Sequence, residues 1–285
     1  MALVCGAAAC ASAASNVRSD AGRIATSRST GAADAQAAAD SASTSGSIDG
    51  STLRTTVAPG ANFDLSIWEL QEPVGDAGAP ATVGSAALQA GYEDAYFFTD
   101  PNDGAMTFWD PENGVATASS KYPRSELREL NADGSPANWP LSGTHVLAAS
   151  IAVVDVPDHA CVGQVHVGSA LQAGLAASTK PLLELYVYAN GDIDLAIEND
   201  PSGGQTSHFV ANVPAGTRFD YTIQIMGGGN VTVAVDGVTA SYPLPAAFAG
   251  YGQYFKAGDY DQSAGASGTL GATVKFYALS VSHAA

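Results

Sequence analysis

Three short stretches of the chain gather residues able to do chemistry. The first is Tyr122-Pro123-Arg124-Ser125-Glu126-Leu127-Arg128-Glu129. Side chains alternate between faces in an extended strand, so Arg124, Glu126 and Arg128 project to one side and Leu127 to the other. Two guanidinium groups braced by a carboxylate suit capture of a carboxylate ligand. Taken alone, the same pattern also describes a salt-bridged, exposed sheet face. The second stretch is Cys161-Val162-Gly163-Gln164-Val165-His166-Val167. Gln164 and His166 share a polar face; Cys161, Val165 and Val167 are expected on the opposite, apolar one. An amide and an imidazole pointing the same way offer a donor and a base, although a satisfied structural pair fits as well. The third is Gly252-Gln253-Tyr254-Phe255-Lys256-Ala257-Gly258-Asp259-Tyr260-Asp261-Gln262. If extended, it presents Tyr254, Lys256, Tyr260 and Gln262 on one face. Two phenols and an ammonium suit a sugar, since tyrosine offers both a ring and a hydroxyl. A cross-strand aromatic ladder is the plainer alternative.

Strands must position these groups. His145–Val156 is a β-branched, apolar run. Leu182–Tyr188 and Ile193–Ile197 flank Asn190-Gly191, a hairpin-turn signal. Phe219–Met226 and Val231–Val235 flank Gly227-Gly228-Gly229-Asn230, and Asp236-Gly237 turns into Val238–Tyr242. Val274–Val281 alternates near the end of the chain. Only Ser85–Ala90 reads as a helical turn. Many strands separated by turn signals predict an all-β, antiparallel β-sandwich of jelly-roll type.

Charge narrows the partners. Among 285 residues there are 11 Lys+Arg and 28 Asp+Glu, a formal net charge of -17. Such a surface argues against nucleic acid and against docking on an anionic membrane. The balance is uneven: residues 51–285 hold 8 basic and 24 acidic side chains, and Arg124, Arg128 and Lys256 fall within the chemical stretches. The expectation is a positive groove on a negative body.

Residues 1–14 are Ala-rich and read as a truncated signal segment, although they lack a basic start. Residues 15–52 read as a flexible Ala/Ser-rich linker with too little apolar surface to fold. The folded domain is expected over 53–285. With Cys5 and Cys10 in the leader, Cys161 is left unpaired, and the five His are too scattered for a zinc site. A secreted monomer is expected.

The three stretches, in this order, resemble the signature blocks of alginate lyases of polysaccharide lyase family seven. Asp64-Leu65-Ser66-Ile67-Trp68-Glu69-Leu70, and the run from Phe97-Phe98-Thr99-Asp100 to Phe108-Trp109, are similar to that family as well. The resemblance covers about residues 55–285 and implies a jelly roll with a concave cleft. It implies β-elimination at the 4-O-glycosidic bond of alginate, an anionic polysaccharide of mannuronate and guluronate, with no metal or organic cofactor. It places Arg124, Gln164, His166 and Tyr260 at catalytic positions. Glu126, Arg128, Tyr254, Lys256 and Gln262 match positions that bind substrate or organise the cleft.

Elimination removes the C5 proton, which is α to the uronate carboxylate. Arg124 and Gln164, with His166, would stabilise the charge that develops there. For mannuronate, Tyr260 would act as base and then acid, its phenol drawn below the usual value by Arg124 and Lys256. For guluronate the proton lies on the other side, and neutral His166 becomes the base with Tyr260 as acid. Val165, in the middle of the Gln-x-His block, accompanies mannuronate preference in the family. Asp259 should face away from Tyr260, whereas Asp261 is expected to weaken polyanion binding.

Two other classes compete. A jelly-roll glycoside hydrolase needs two flanking carboxylates; Asp192, Asp194 and Glu198 share strand parity, but a solvated hairpin edge explains them better. A carbohydrate-binding module would need the aromatics without Tyr260 as acid. A lyase acting on another polyuronate, such as glucuronan, shares the same carboxylate chemistry.

Overall fold

The computed structural model describes residues 52–285. The expected signal segment and, apart from Thr52, the linker lie outside the described residues. The strands are β1 (Trp68–Asp76), β2 (Ala79–Val83), β3 (Phe97–Thr99), β4 (Met106–Pro111), β5 (Ser125–Glu129), β6 (Thr144–Asp155), β7 (His159–Ala170) and β8 (Pro181–Tyr188). They continue as β9 (Asp192–Glu198), β10 (Gln205–Asn212), β11 (Phe219–Met226), β12 (Asn230–Val235), β13 (Val238–Pro243), β14 (Tyr251–Asp261) and β15 (Gly271–Ala284). Among the described residues the one α-helix, α1 (Ser85–Gln89), falls where a helical turn is expected.

The strands form two antiparallel sheets. The first has the order β10-β9-β8-β7-β14-β5-β1-β2 and the second β13-β12-β11-β6-β15-β4-β3. The inner faces enclose one core. Leu127, Val165, Leu185, Leu195 and Phe255 enter from the first sheet and Phe108, Ile151, Ile223, Val233 and Phe276 from the second, all with no exposed surface. Each such side chain contributes about 1.5–3 kcal/mol through removal from water. Turn chemistry sets register: Asp236 (φ 45) and Gly237 (φ 83) are both left-handed, as a two-residue hairpin loop requires, and Val235 pairs with Val238 across them.

β14 lies between β7 and β5. This crossover brings the three chemical stretches onto adjacent strands of the first sheet. Gly258 (φ 149) lets β14 approach β5; a Cβ there would stand 2.8 Å from the Glu126 Cα.

The second stretch departs from simple alternation. β7 carries a bulge, since Cys161 pairs with Tyr186 but Gly163 with Leu185. Gly163 makes the bulge possible because a Cβ there would meet the Tyr221 hydroxyl at 2.8 Å. That hydroxyl, from the opposite sheet, donates to the Val162 carbonyl at 2.9 Å. Parity therefore switches: Ala160 and Val162 join the core on one side of the bulge, Val165 and Val167 on the other. Cys161 was expected on the apolar inner face. It packs instead on the outer face with Tyr186, Ala196 and Tyr260.

Candidate active site

The outer face of the first sheet forms a cleft of about 710 Å³ that crosses the strands from β2 to β10. Eight of the nine side chains singled out from the sequence line it: Arg124, Arg128, Gln164, His166, Tyr254, Lys256, Tyr260 and Gln262. The ninth, Glu126, lies directly beneath with no exposed surface. Leu127 faces the core, as strand alternation requires.

Glu126 is the hub of the site. Its Oε1 accepts from Gln164 Nε2, and its Oε2 accepts from Lys256 Nζ and from Arg124 Nη1 at 3.3 Å. Donors from β7, from β14 and from the residue just before β5 surround one carboxylate. That satisfies a charge which would otherwise be costly to bury. The Arg124 guanidinium also lies 3.7 Å from the centroid of the Tyr260 ring, and Arg128 lies 4.4 Å from that of Tyr254. Both guanidinium groups sit over aromatic rings, which limits where their remaining N–H groups can point.

His166 stacks on Tyr254 with ring centroids 5.2 Å apart. Its Nδ1 lies 2.9 Å from the Val167 carbonyl oxygen. A carbonyl only accepts, so Nδ1 carries the proton and Nε2 is the free lone pair. Burial, reinforced by Lys256, pushes the imidazole pKa down to about 3. His166 is thus a neutral base at physiological pH. Burial, with Arg124 beside it, also lowers the Lys256 ammonium to about 8, although Glu126 opposes the change.

Tyr260 differs from expectation. Arg124 does draw its pKa down, but burial outweighs that pull and leaves it above the ordinary tyrosine value. The phenol is therefore protonated at rest and equipped to give a proton. Asp261 also corrects an expectation: it is fully buried on the inner side and does not line the cleft. Asp259 faces inward, as expected.

The sequence reading missed part of the cleft. Lys180 lines it as well as Lys121, which clusters with Arg124 and Arg128 in the sequence, so five of the eight basic residues of 51–285 gather there. Tyr122 meets Tyr260 edge-on, with centroids 6.5 Å apart. Glu184, Tyr186, Glu198 and Gln205 line the β8–β10 end. Of the hydrolase carboxylates, Asp192 and Asp194 lie outside the cleft. They accept from Asn190, Asn212 and Ser207 at the hairpin edge, so only Glu198 reaches the groove. Among the described residues, no group of three or more His, Cys, Asp or Glu is arranged to hold a metal ion.

Comparison with known proteins bears on this arrangement. The alginate lyase family model matches residues 63–283. An alginate lyase of Klebsiella pneumoniae is 37% identical over 97 residues, a segment that is 30% of this chain and 32% of that protein. The chain thus matches about a third of the length of this curated relative. Solved structures align far more completely. Alginate lyase A1-II', a member of polysaccharide lyase family 7, is 36% identical with a TM-score of 0.70, covering 80% of this chain and 99% of its own. Variants of that lyase have been solved with product (GGG) and with substrate (GGMG). An alginate lyase from Pseudomonas aeruginosa is 31% identical with a TM-score of 0.70, covering 77% of this chain and 99% of its own.

Proposed function

The chain belongs to the alginate lyase family, and from that membership we propose that it cleaves alginate by β-elimination at the 4-O-glycosidic bond. One observation carries the reading. Arg124, Gln164 and Lys256, held by the buried Glu126, share one cleft with a neutral His166 and a protonated Tyr260. This is the equipment that elimination next to a carboxylate needs.

Arg124 and Gln164 bind the uronate carboxylate and stabilise the negative charge that spreads onto it as C5 loses its proton. A base takes that proton, the C5–H electron pair becomes the C4–C5 double bond, and the C4–O4 bond breaks. Tyr260 then gives its proton to the departing O4. The products are a new reducing end and an unsaturated uronate at the new non-reducing end. Tyr254 and Arg128 support the sugar rings, with Gln262 beside Tyr260.

Two readings of sugar preference stand on different supports. Val165 in the Gln-x-His block favours mannuronate through the family resemblance. It packs in the core, so its influence would pass through the strand rather than by contact. The resting protonation states favour guluronate, because a neutral His166 and a protonated Tyr260 supply base and acid without prior proton movement. We further propose a secreted, monomeric enzyme, in which the acidic body keeps the protein soluble while the basic cleft takes the polyanion.

Ultraviolet absorbance of the conjugated product tests the function on separate polymannuronate, polyguluronate and glucuronan. Unsaturated product from the two alginate polymers, and little from glucuronan, is expected. Reducing ends without the absorbance would indicate a hydrolase, and binding without either would indicate a carbohydrate-binding module.

A further inference from the structure

The cleft is not uniform in charge. Its centre is cationic, while the β8–β10 end holds two carboxylates that the elimination does not use. Glu184 pairs in register with Gln164 on the neighbouring strand, one inter-strand spacing of about 4.8 Å away. One oxygen, Oε2, accepts from the Tyr186 hydroxyl at 2.6 Å and from Gln205 Nε2 at 2.8 Å. That leaves Oε1 without a protein donor among the described residues. Glu198, on β9, pairs in register with Gln205 and lines the same cleft. It is only 6% exposed, and its Oε2 has no protein partner. Oε2 is itself shut away from solvent, so it is Oε1, likewise without a protein donor among the described residues, that can accept from the cleft, where Lys180, on the loop before β8, is a nearby cation.

From this we propose that Glu184, Glu198 and Gln205 form an acceptor-rich subsite that takes the hydroxyl edge of the sugar next to the cleaved bond and turns its carboxylate toward Lys180. The proposal rests on the polyuronate lyase reading and deepens it. Two acceptors crowded at one end of a groove accept hydroxyl protons readily. A second carboxylate in the same place meets like charge at low dielectric. A uronate can occupy the subsite only with its carboxylate directed elsewhere. Mannuronate and guluronate differ in configuration at C5 and so project that group differently. The subsite therefore sorts the neighbour of the reacting sugar, a task separate from choosing the reacting sugar itself.

The surroundings also make the subsite responsive to pH. Burial holds Glu184 above the usual carboxylate range, aided by Glu126 and opposed by Tyr186, Gln205 and Lys256. Burial raises Glu198 too, with Glu184 adding to it and Lys180 opposing. As pH rises and these groups ionise, repulsion of a poorly oriented uronate grows. Discrimination between neighbours should sharpen in the same direction.

Glu184→Gln, Glu198→Gln and the double variant test this, with kcat and KM measured on polymannuronate, polyguluronate and alternating polymer at mildly acidic and mildly alkaline pH. Calorimetry with saturated oligouronates reads binding directly. The double variant is expected to change the ratio of kcat/KM between polymers by about tenfold, the scale of one net hydrogen bond. The change should lie in KM, and the pH dependence of KM should flatten. Should the double variant fail to fold, Gln205→Ala on the exposed edge strand should move the same ratio by a smaller factor. Wild-type ratios and a wild-type KM profile in folded variants would overturn the subsite and leave the lyase intact. A wild-type chain that makes no unsaturated product from any polyuronate would overturn both.

Discussion

Strand β14 separates two groups of buried carboxylates that meet opposite fates. On its outer side Glu126 is surrounded by donors from Arg124, Gln164 and Lys256. On its inner side Asp259 and Asp261 face Asp110 of β4 between the sheets, all three without exposed surface. There the donors are few. Asp110 Oδ2 accepts from the Asp261 backbone N–H at 3.0 Å, and Asp261 Oδ1 accepts from the Ser263 N–H at 2.9 Å. Neither oxygen of Asp259 has a partner, nor do Asp110 Oδ1 and Asp261 Oδ2. The outer carboxylate is ringed by donors and holds two cations in place. The inner three are pushed toward their neutral forms by burial first; Asp261 adds to the push on Asp110 and Asp259, and Glu112 to that on Asp261. Burial alone therefore says little about a carboxylate; the donors around it decide whether it organises a site or strains the fold.

The largest effect should come from the group that the outer cluster serves. Tyr260→Phe removes the proton donor to O4 but keeps the ring against which Arg124 lies. General-acid loss should lower kcat by about 10²–10⁴-fold. Affinity for a saturated oligouronate, measured by calorimetry, should change little. Full activity in this variant would remove Tyr260 from the mechanism.

Next is the hub. Glu126→Gln keeps the shape but withdraws the charge that Arg124 and Lys256 face. Breaking a buried ion pair by removing one partner costs about 3–5 kcal/mol, and thermal or denaturant unfolding would measure it. The freed cations also repel one another, so Lys256, already near 8 because of burial and Arg124, should titrate lower still. The activity profile should then fail at lower pH than in the wild type. A stability equal to wild type would mean that the hub is not the support that its bonds suggest.

Much of the outer cluster was legible in the chain because strand parity is local. Arg124, Glu126 and Arg128 alternate with Leu127, and the hairpins at Asn190-Gly191 and Asp236-Gly237 stand where turn chemistry put them. What escaped depended on distant pairing. That β14 inserts between β7 and β5, and that β8 to β10 extend the same face, is a matter of sheet order. No short pattern carried Glu184, Glu198 or Lys180 into the cleft. The Cys161 error had a visible warning, since an isolated Gly inside a strand pattern marks a bulge, and Gly163 sits at the one that flips parity. The protonation of Tyr260 was illegible for another reason. The nearby cation could be read from the block, whereas the burial that outweighs it comes from the assembled sheet.

The smallest of these effects has the opposite sign and tests the inner side of the comparison. The carboxyls of Asp110 and Asp259 are held well above the usual range, by burial first and then by neighbouring carboxylates, and burial lifts Asp261 to about 6. A group whose folded pKa is raised favours the fold while it is protonated in both states, below about 4. That contribution is lost as pH climbs through the folded value. The wild type should accordingly unfold more easily at mildly alkaline pH than at about pH 5, once other titrations are matched by comparison with a variant. Asp259→Asn supplies that comparison, since it keeps the shape, removes an ionisable group without partners and relieves its repulsion of Asp110 and Asp261. At mildly alkaline pH it should stabilise the protein by about 1–3 kcal/mol, because the new amide N–H groups can donate to the neighbouring carboxylates. The gain should shrink toward acid, where Asp259 is already neutral. For a domain of this size, that is a rise in Tm of about 2–4 °C per kcal/mol. Asp259→Asn that destabilises at every pH would mean the inner carboxylates are as well supported as Glu126, and the contrast across β14 would disappear.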